Sequence, residues 1–442
     1  MRVLLINAGW RRAGKGRRRY RRAWPPLDLL NAAAMLRRHD HDVDLLDFRA
    51  DSSAPSRLPD LTRKTDLIVF QTTPLDRWQC PDLNIDQLPD MVKDLPRSKL
   101  IVAGVHGTLD PARVLKLTNA KAVIRGEPEK AILALADAGG DPETIPETSY
   151  YGTDGYCDGS IAAPLNLAEL PTPAYDLVDP GIYYYPLIRY RLALLETSRG
   201  CPYGCRFCLK TMYDPGIRYK PLDAVIADVE TVIGRHGFNS VYFMDLEFTV
   251  NRDRIVDLCD RLVSLRLDFK WCCQTRVDQV DPDLLTLMAR AGCRLIHFGV
   301  ESGSPKLLAE TGKGITIEQV ENALTWSRTA GIQTACFFLF GLPSETPRDR
   351  RISAMLARRL DPDYVSFHVA APYQGTVLAD DNGHQFMYSP CLPEHDINVL
   401  YQAVRSAMAA FYLRPGYIFQ RLTRRGFTDI GRQLALFREL AG

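Results

Sequence analysis

At 442 residues the chain is long enough to bury a large core and to divide into two or three domains. A hydrophobic fraction of 46% and a charged fraction of 24% are those of an ordinary soluble globular protein, and a formal net charge of +2 points neither toward nor away from an acidic partner. Apolar runs such as 336–342 are of strand length, far short of a membrane span.

The opening stretch MRVLLINAGW turns polar too soon for a secretory apolar segment, so a cytoplasmic location and no membrane partner are expected. Eleven cysteines, an odd number scattered outside one trio, fit a reducing compartment better than a disulfide framework.

Over residues 1–140, candidate strands at 3–7, 43–47, 67–71, 100–103 and 122–125 alternate with helical patterns at 27–38, 85–94, 111–117 and 129–136. This alternation predicts an α/β, Rossmann-like, doubly wound parallel sheet whose ligand rests at the carboxyl ends of the strands. The loops at those ends read AGWRR…AWPPLDLL, TTPLDRWQCPDL, GVHGTLDP and RGEPE, and their glycines, prolines and polar residues predict a large ligand there. The run WRRAGKGRRRYRRAW (10–24) holds eight Lys/Arg in fifteen positions. It reads as a solvated loop, or as a lid that recruits an anionic small-molecule substrate. Its place inside a loop, away from any terminal tail, speaks against a nucleic-acid arm.

Residues 141–190 are rich in proline, tyrosine and aspartate with little periodicity, and read as an ordered linker. From 191 to 372 the alternation restarts, with strands at 192–197, 241–244, 269–274, 295–300, 334–340 and 365–370. Helical patterns between them complete a partial (β/α)6 barrel, its active face again at the strand C-termini. Residues 373–442 read as a small helical C-terminal cap.

The chemistry concentrates in ETSRGCPYGCRFCLK, where Cys201, Cys205 and Cys208 follow a C-x3-C-x2-C spacing just after the first barrel strand. Gly200, Pro202 and Gly204 supply turn geometry. Three thiolates are one short of a closed zinc site or a fully ligated iron–sulfur cluster. A zinc site would need a distant His or Cys, and no second C-x2-C or H-x3-H group offers one. A [4Fe–4S] cluster with three protein ligands instead leaves one iron open for a substrate or cofactor.

RGCPYGCRFC resembles the signature of the radical S-adenosylmethionine (SAM) enzymes, with Phe207 before the third cysteine. VYFMDLEFTVNRDR, WCCQTRVDQVDPDLLTLMARAGCRLIHFGVESGSPKLL and ACFFLFGLPSET look like later barrel segments of that family, in the same order. The resemblance covers about residues 190–372 and implies a [4Fe–4S] cluster that cleaves bound SAM to a 5′-deoxyadenosyl radical. It implies SAM contacts from Asp245 and Glu247 after the second strand, Gln274 and Arg276 after the third, Glu301 after the fourth and Gly341 after the fifth, followed by Pro343 and Glu345. An N-cap role stays open for any of these carboxylates.

PPLDLLNAAAMLRRHDHDVDLLD, GVHGTLDPARVL and VIRGEPEKAIL resemble the cobalamin-binding domain that precedes the barrel in one radical SAM subclass, the class B methyltransferases among it. Gly104, His106 and Gly107, together with Gly126 and Glu127, are the implied cobalamin contacts. The D-x-H-x-x-G motif that ligates cobalt from below is absent, which implies a corrinoid without a histidine ligand. Arg77, Trp78 and Cys80 are candidates to pack beneath it, and a purely structural role for their loop stays open.

The two resemblances together imply a C-methyltransferase that acts on an unactivated carbon of a small molecule, with an electron donor such as flavodoxin or ferredoxin. A non-methylating rearrangement, cyclisation or redox step stays open. No second C-x-x-C group exists, which speaks against auxiliary clusters and the methylthiolating branch. IYYYPLIRYR (182–191) and HVAAPY (368–373) are the expected substrate contacts.

Overall fold

The computed structural model describes residues 1–10, 24–185, 187–188, 191–213, 216–380 and 389–419. The basic run at 11–23, part of the tyrosine-rich stretch and part of the C-terminal cap lie outside the described residues. The chain falls into two compact units. The first holds Met1–Tyr185, the stretch up to Pro202 and Leu209–Asp245; the second holds Tyr203–Cys208 and the residues from Leu246 onward.

In the first unit, strands β1 (Arg2–Asn7), β2 (Asp42–Asp47), β3 (Leu67–Gln71), β4 (Leu100–Ala103) and β5 (Ala122–Ile124) run parallel in the order 2-1-3-4-5. All of β3, LIVFQ, is buried, the continuous apolar run expected of a strand covered on both faces. The five strands lie where the apolar runs place them. The order reverses between β1 and β3, and such a switch point is where open α/β sheets bind ligands.

Two strands were not anticipated. β6 (Thr148–Gly152) and β7 (Gly155–Cys157) form an antiparallel hairpin that extends the sheet from β5. The expected linker thus contributes to the sheet. Its prolines stand outside both strands, where the missing N–H costs no ladder bond.

The expected strand 192–197 ends early, at Leu195, and a separate strand follows from Ser198. β8 (Leu192–Leu195) pairs in parallel with β11 (Ser240–Phe243), while β9 (Ser198–Cys201) turns away to pair antiparallel with β10 (Gly216–Tyr219). The cysteine loop is therefore carried on a two-stranded ribbon of its own.

The second unit contains the parallel strands β12 (Lys270–Thr275), β13 (Cys293–Glu301), β14 (Gln333–Phe340) and β15 (Tyr364–Val369), in sequential order. Trp271, Phe298, Phe338 and Phe340 fill its core. Its helices start at identifiable caps: Asn251 and Asp281 accept backbone N–H bonds, and Thr316 and Thr346 form capping boxes. Helix Ile397–Tyr412 is tied to β15 by the Tyr412 hydroxyl, which donates to the Val365 carbonyl at 2.7 Å. Among the described residues no helix is long and apolar enough to cross a membrane.

Gly104 closes β4 at φ +110°, and a Cβ there would lie 2.8 Å from Thr72 Oγ1 and 2.9 Å from Thr73 N. Gly139 has φ +68° but open space around its Cβ position. Urea denaturation should show Gly104→Ala losing more stability than Gly139→Ala, which carries only the backbone cost of about 1–3 kcal/mol. Equal losses would show that the approach of Thr72 and Thr73 does not matter.

Candidate active site

A cleft opens at the β1/β3 switch, where Ala8, Gly9 and Trp10 face Thr72, Thr73 and Arg77. The Trp10 indole N–H donates to the Thr72 carbonyl at 2.6 Å. Arg49, also on the lining, makes a paired bond to Asp76 at 2.7 and 2.8 Å, so its side chain is fixed and nearly buried.

His106 lies fully buried behind this wall, its ring 5.2 Å from that of Trp10. Burial pushes its pKa down to about 4, so the ring is neutral. Nδ1 is 3.1 Å from the Thr73 hydroxyl and Nε2 is 2.8 Å from the Asp82 carbonyl. A neutral ring satisfies both if Nε2–H donates to Asp82 and Nδ1 accepts from Thr73. With both nitrogens engaged, His106 supports the cleft wall and offers no metal-binding lone pair. Gly107 serves packing in the same region: a Cβ would meet Val123 Cγ1 at 2.4 Å.

The other implied cobalamin contacts are placed elsewhere. A Cβ on Gly126 would strike Ala162, and Trp78 is fully buried in the core. Glu127 enters a buried ionic cluster. Its centre is Arg199 of β9, which reaches Glu127 at 3.0 Å, Glu129 at 2.9 Å and Glu196 at 2.7 Å. Arg218 of β10 also binds Glu127. Burial disfavours the Arg199 charge, but Glu129, Glu196 and Glu127 outweigh it and hold the pKa well above the ordinary arginine value. Burial alone would raise Glu127; Arg199 and Arg218 bring it below the usual carboxylate value. Asn31 donates to Glu196 at 3.0 Å and completes the enclosure.

The cluster fixes β9, which ends at Cys201. Cys205 and Cys208 follow, with the Cys208 N–H donating to the Cys205 carbonyl at 3.2 Å. All three are half-buried and in no disulfide. Asp245 braces the same strand: it accepts from the Thr197 N–H at 2.7 Å, the Thr197 hydroxyl at 2.5 Å and the Ser198 hydroxyl at 2.7 Å. Burial still raises its pKa to about 6. Its oxygens are committed to the approach of the cysteine loop.

In the second unit Glu247 is buried and accepts from the hydroxyls of Thr249 and Thr275. Burial pushes its pKa up to about 7. Glu301 takes φ +67°, a strained conformation for a residue with a side chain, and Lys313 holds it with bonds of 2.7 Å to its carboxylate and to the Gly299 carbonyl. Arg276 binds Asp278 at 2.9 and 2.8 Å and the Lys313 carbonyl at 2.6 Å. Its guanidinium stacks 3.9 Å from the ring centre of Tyr203, inside the cysteine loop. The Gly341 N–H donates to Glu345 at 2.6 Å, and Gly341 itself has φ +84°.

Two buried atoms here have no partner: Arg276 Nη1, a donor, and Glu345 Oε1, an acceptor. Orphaned polar atoms of opposite kind are what a zwitterionic ligand would satisfy. Three thiolates within eight positions suit an iron–sulfur cluster, and in the second unit the orphaned donor and acceptor are of the kinds SAM would engage.

One face of β12–β15 carries Gln274 and His297 side by side in one register row, with Phe337 and His368 on the same face further along their strands. The Phe337 ring lies 5.5 Å from His297 and 5.8 Å from His368, and His368 Nε2 is 2.8 Å from the Ser366 hydroxyl. His297, Lys313 and Arg199 were not anticipated as site residues.

Residues 195–357 match the Radical SAM superfamily. The chain is 29% identical over 361 residues to an uncharacterized methyltransferase of Pyrococcus horikoshii, covering 80% of this chain and 77% of that protein. It is 27% identical to the anaerobic magnesium-protoporphyrin IX monomethyl ester cyclase of Rubrivivax gelatinosus, over 64% of this chain, and spans about half of that longer enzyme, 53%. In fold it is similar to the radical SAM methyltransferase TsrM of Kitasatospora setae, solved with cobalamin and a [4Fe-4S] cluster bound, at TM-score 0.66 and 19% identity, covering 86% of this chain and 75% of that one. It is likewise similar to OxsB, a cobalamin-dependent SAM radical enzyme, at TM-score 0.67 and 19% identity, covering 85% of this chain and 54% of that one. The matched stretch begins at the end of β8 and includes the cysteine loop.

Beside the Arg199 cluster, burial and then the Glu129 charge push the Asp28 pKa up to about 7, and its Oδ1 has no partner. The unfolded chain releases this proton near pH 4, so the folded chain holds the extra proton between about pH 4 and 7 and loses stability as pH rises through that window. Asp28→Asn mimics the protonated acid. Its thermal midpoint should fall less between pH 5 and 8 than that of the wild type; parallel curves would contradict the assignment.

Proposed function

We propose that this enzyme is a cobalamin-dependent radical SAM C-methyltransferase acting on an unactivated carbon of a small molecule, of the kind made in natural-product pathways. The observation that carries the reading is one chain holding a switch-point cleft and, in the same unit, the Arg199 strand that leads into a three-cysteine loop. The name of the Pyrococcus relative and the two cobalamin-binding neighbours support it.

In this reading Cys201, Cys205 and Cys208 hold the [4Fe–4S] cluster, and the cleft beside Trp10, Thr72 and Arg77 holds the corrinoid. Bound together, these groups supply a 5′-deoxyadenosyl radical from SAM and a methyl group. Arg276 Nη1 would be the donor for the carboxylate of SAM, and Glu345 Oε1 the acceptor for its amine. Lys313 orients Glu301 toward the ribose hydroxyls, and Glu247 receives the remaining positive charge. His297, Phe337 and His368 line the substrate side: the ring excludes water from the reacting carbon, and the imidazoles bind a polar or anionic group. An electron donor such as flavodoxin or ferredoxin and a cytoplasmic setting belong to the same proposal.

Protein reconstituted anaerobically with iron, sulfide and hydroxocobalamin should form 5′-deoxyadenosine from SAM under dithionite. Cys201→Ala, Cys205→Ala and Cys208→Ala should each reduce this to background while cobalamin binding persists. Retention of cleavage in any of them would overturn the cluster assignment. With substrate, S-adenosylhomocysteine should rise in step with 5′-deoxyadenosine. The cyclase relative favours a second reading, a ring-forming step without methyl transfer, and 5′-deoxyadenosine formed without homocysteine product would select it.

A further inference from the structure

Trp78 stands at a junction that neither proposed cofactor site accounts for. It follows the short 3-10 helix Leu75–Arg77, in the loop whose Thr73, Pro74 and Arg77 line the cleft, yet the indole points away from the cleft and is fully buried. Its N–H donates to the Thr73 carbonyl at 3.1 Å, and the same carbonyl accepts from Gln71 Nε2 at 2.9 Å. The wall of the cleft and the indole are therefore one hydrogen-bonded piece.

On its other side the indole touches both ends of the cysteine loop. The Arg199 guanidinium, two residues before Cys201, lies 5.3 Å from the ring centre. The Tyr213 ring, five residues after Cys208, lies 5.3 Å away at 60°. The Thr108 hydroxyl, from the short helix after β4, donates to the neighbouring Met212 sulfur at 3.2 Å. Arg199 is already held by three carboxylates, so the indole meets a cation that cannot swing away.

We propose that Trp78 is a positioning residue that ties the cleft wall to both ends of the cysteine loop, so that corrinoid binding and cluster binding strengthen each other. The inference rests on the two-cofactor reading above. A shift of Thr73 or Arg77 on binding moves the indole, and the indole bears on Arg199 and Tyr213. Coupling of this kind is reciprocal, since each ligand must change the affinity for the other by the same factor.

The test titrates hydroxocobalamin, followed by its absorbance, into full-length protein with and without the reconstituted cluster. The wild type should bind it more tightly when cluster-loaded, by about fivefold or more. Trp78→Leu and Tyr213→Leu should bring the ratio toward one, while Trp78→Phe, which keeps a ring against Arg199 and Tyr213, should retain most of it. Circular dichroism checks that each variant folds, and Tyr213→Leu tests the same arm if Trp78→Leu does not. Equal affinities in the wild type, or a ratio unchanged in both leucine variants, would overturn the role of Trp78 and leave the functional reading standing. Absence of any cobalamin binding in the wild type would overturn the functional reading itself.

Discussion

A single buried guanidinium governs this architecture. Arg199 is 1% exposed and lies among Glu127, Glu129 and Glu196, with Arg218 sharing Glu127. Two of its partners come from the loop and helix after β5, so the strand that leads into the cysteines is held by the N-terminal sheet. Removing one member of such a set leaves charges unpaired out of water, at a cost of about 3–5 kcal/mol. The arrangement gains geometry more than stability: a planar fork with several donors fixes strand, helix and loop in one orientation.

The carboxylates divide by what surrounds them. Asp245 spends its oxygens on Thr197 and Ser198 and acts on the cysteine loop through the backbone. Glu247 and Glu301 are instead held by hydroxyls and by Lys313, which orient their carboxylates. Glu301 also keeps a strained backbone, and such strain persists where the surroundings over-determine a residue, commonly at functional sites. His106 shows the opposite outcome, a histidine in the short helix after β4 whose two nitrogens are both consumed by the fold.

Much of this was legible in the amino-acid order because it is local. The cysteine spacing lies within one loop, and the five parallel strands are apolar runs that need no partner to be seen. Asp245, Glu247, Arg276 and Glu301 could be singled out by their positions at strand ends. Contacts across long separations were not visible. Glu127 reads as a ligand residue in RGEPE until Arg199, 72 positions later, is seen to claim it. The β6–β7 hairpin escaped notice because proline and aspartate around it hide a short alternating pattern. Lys313 and His297 gave no signal, since a lone lysine in a turn and a histidine in an apolar strand resemble ordinary residues.

Hydrogen exchange of the Arg199→Lys variant against the wild type addresses the central claim most directly, because lysine keeps the charge but cannot bridge three carboxylates. Peptides covering 122–131 and 196–213 should lose protection together, while those covering 293–301 keep theirs. Loss confined to 196–213, or no loss in either segment, would contradict the role assigned to Arg199.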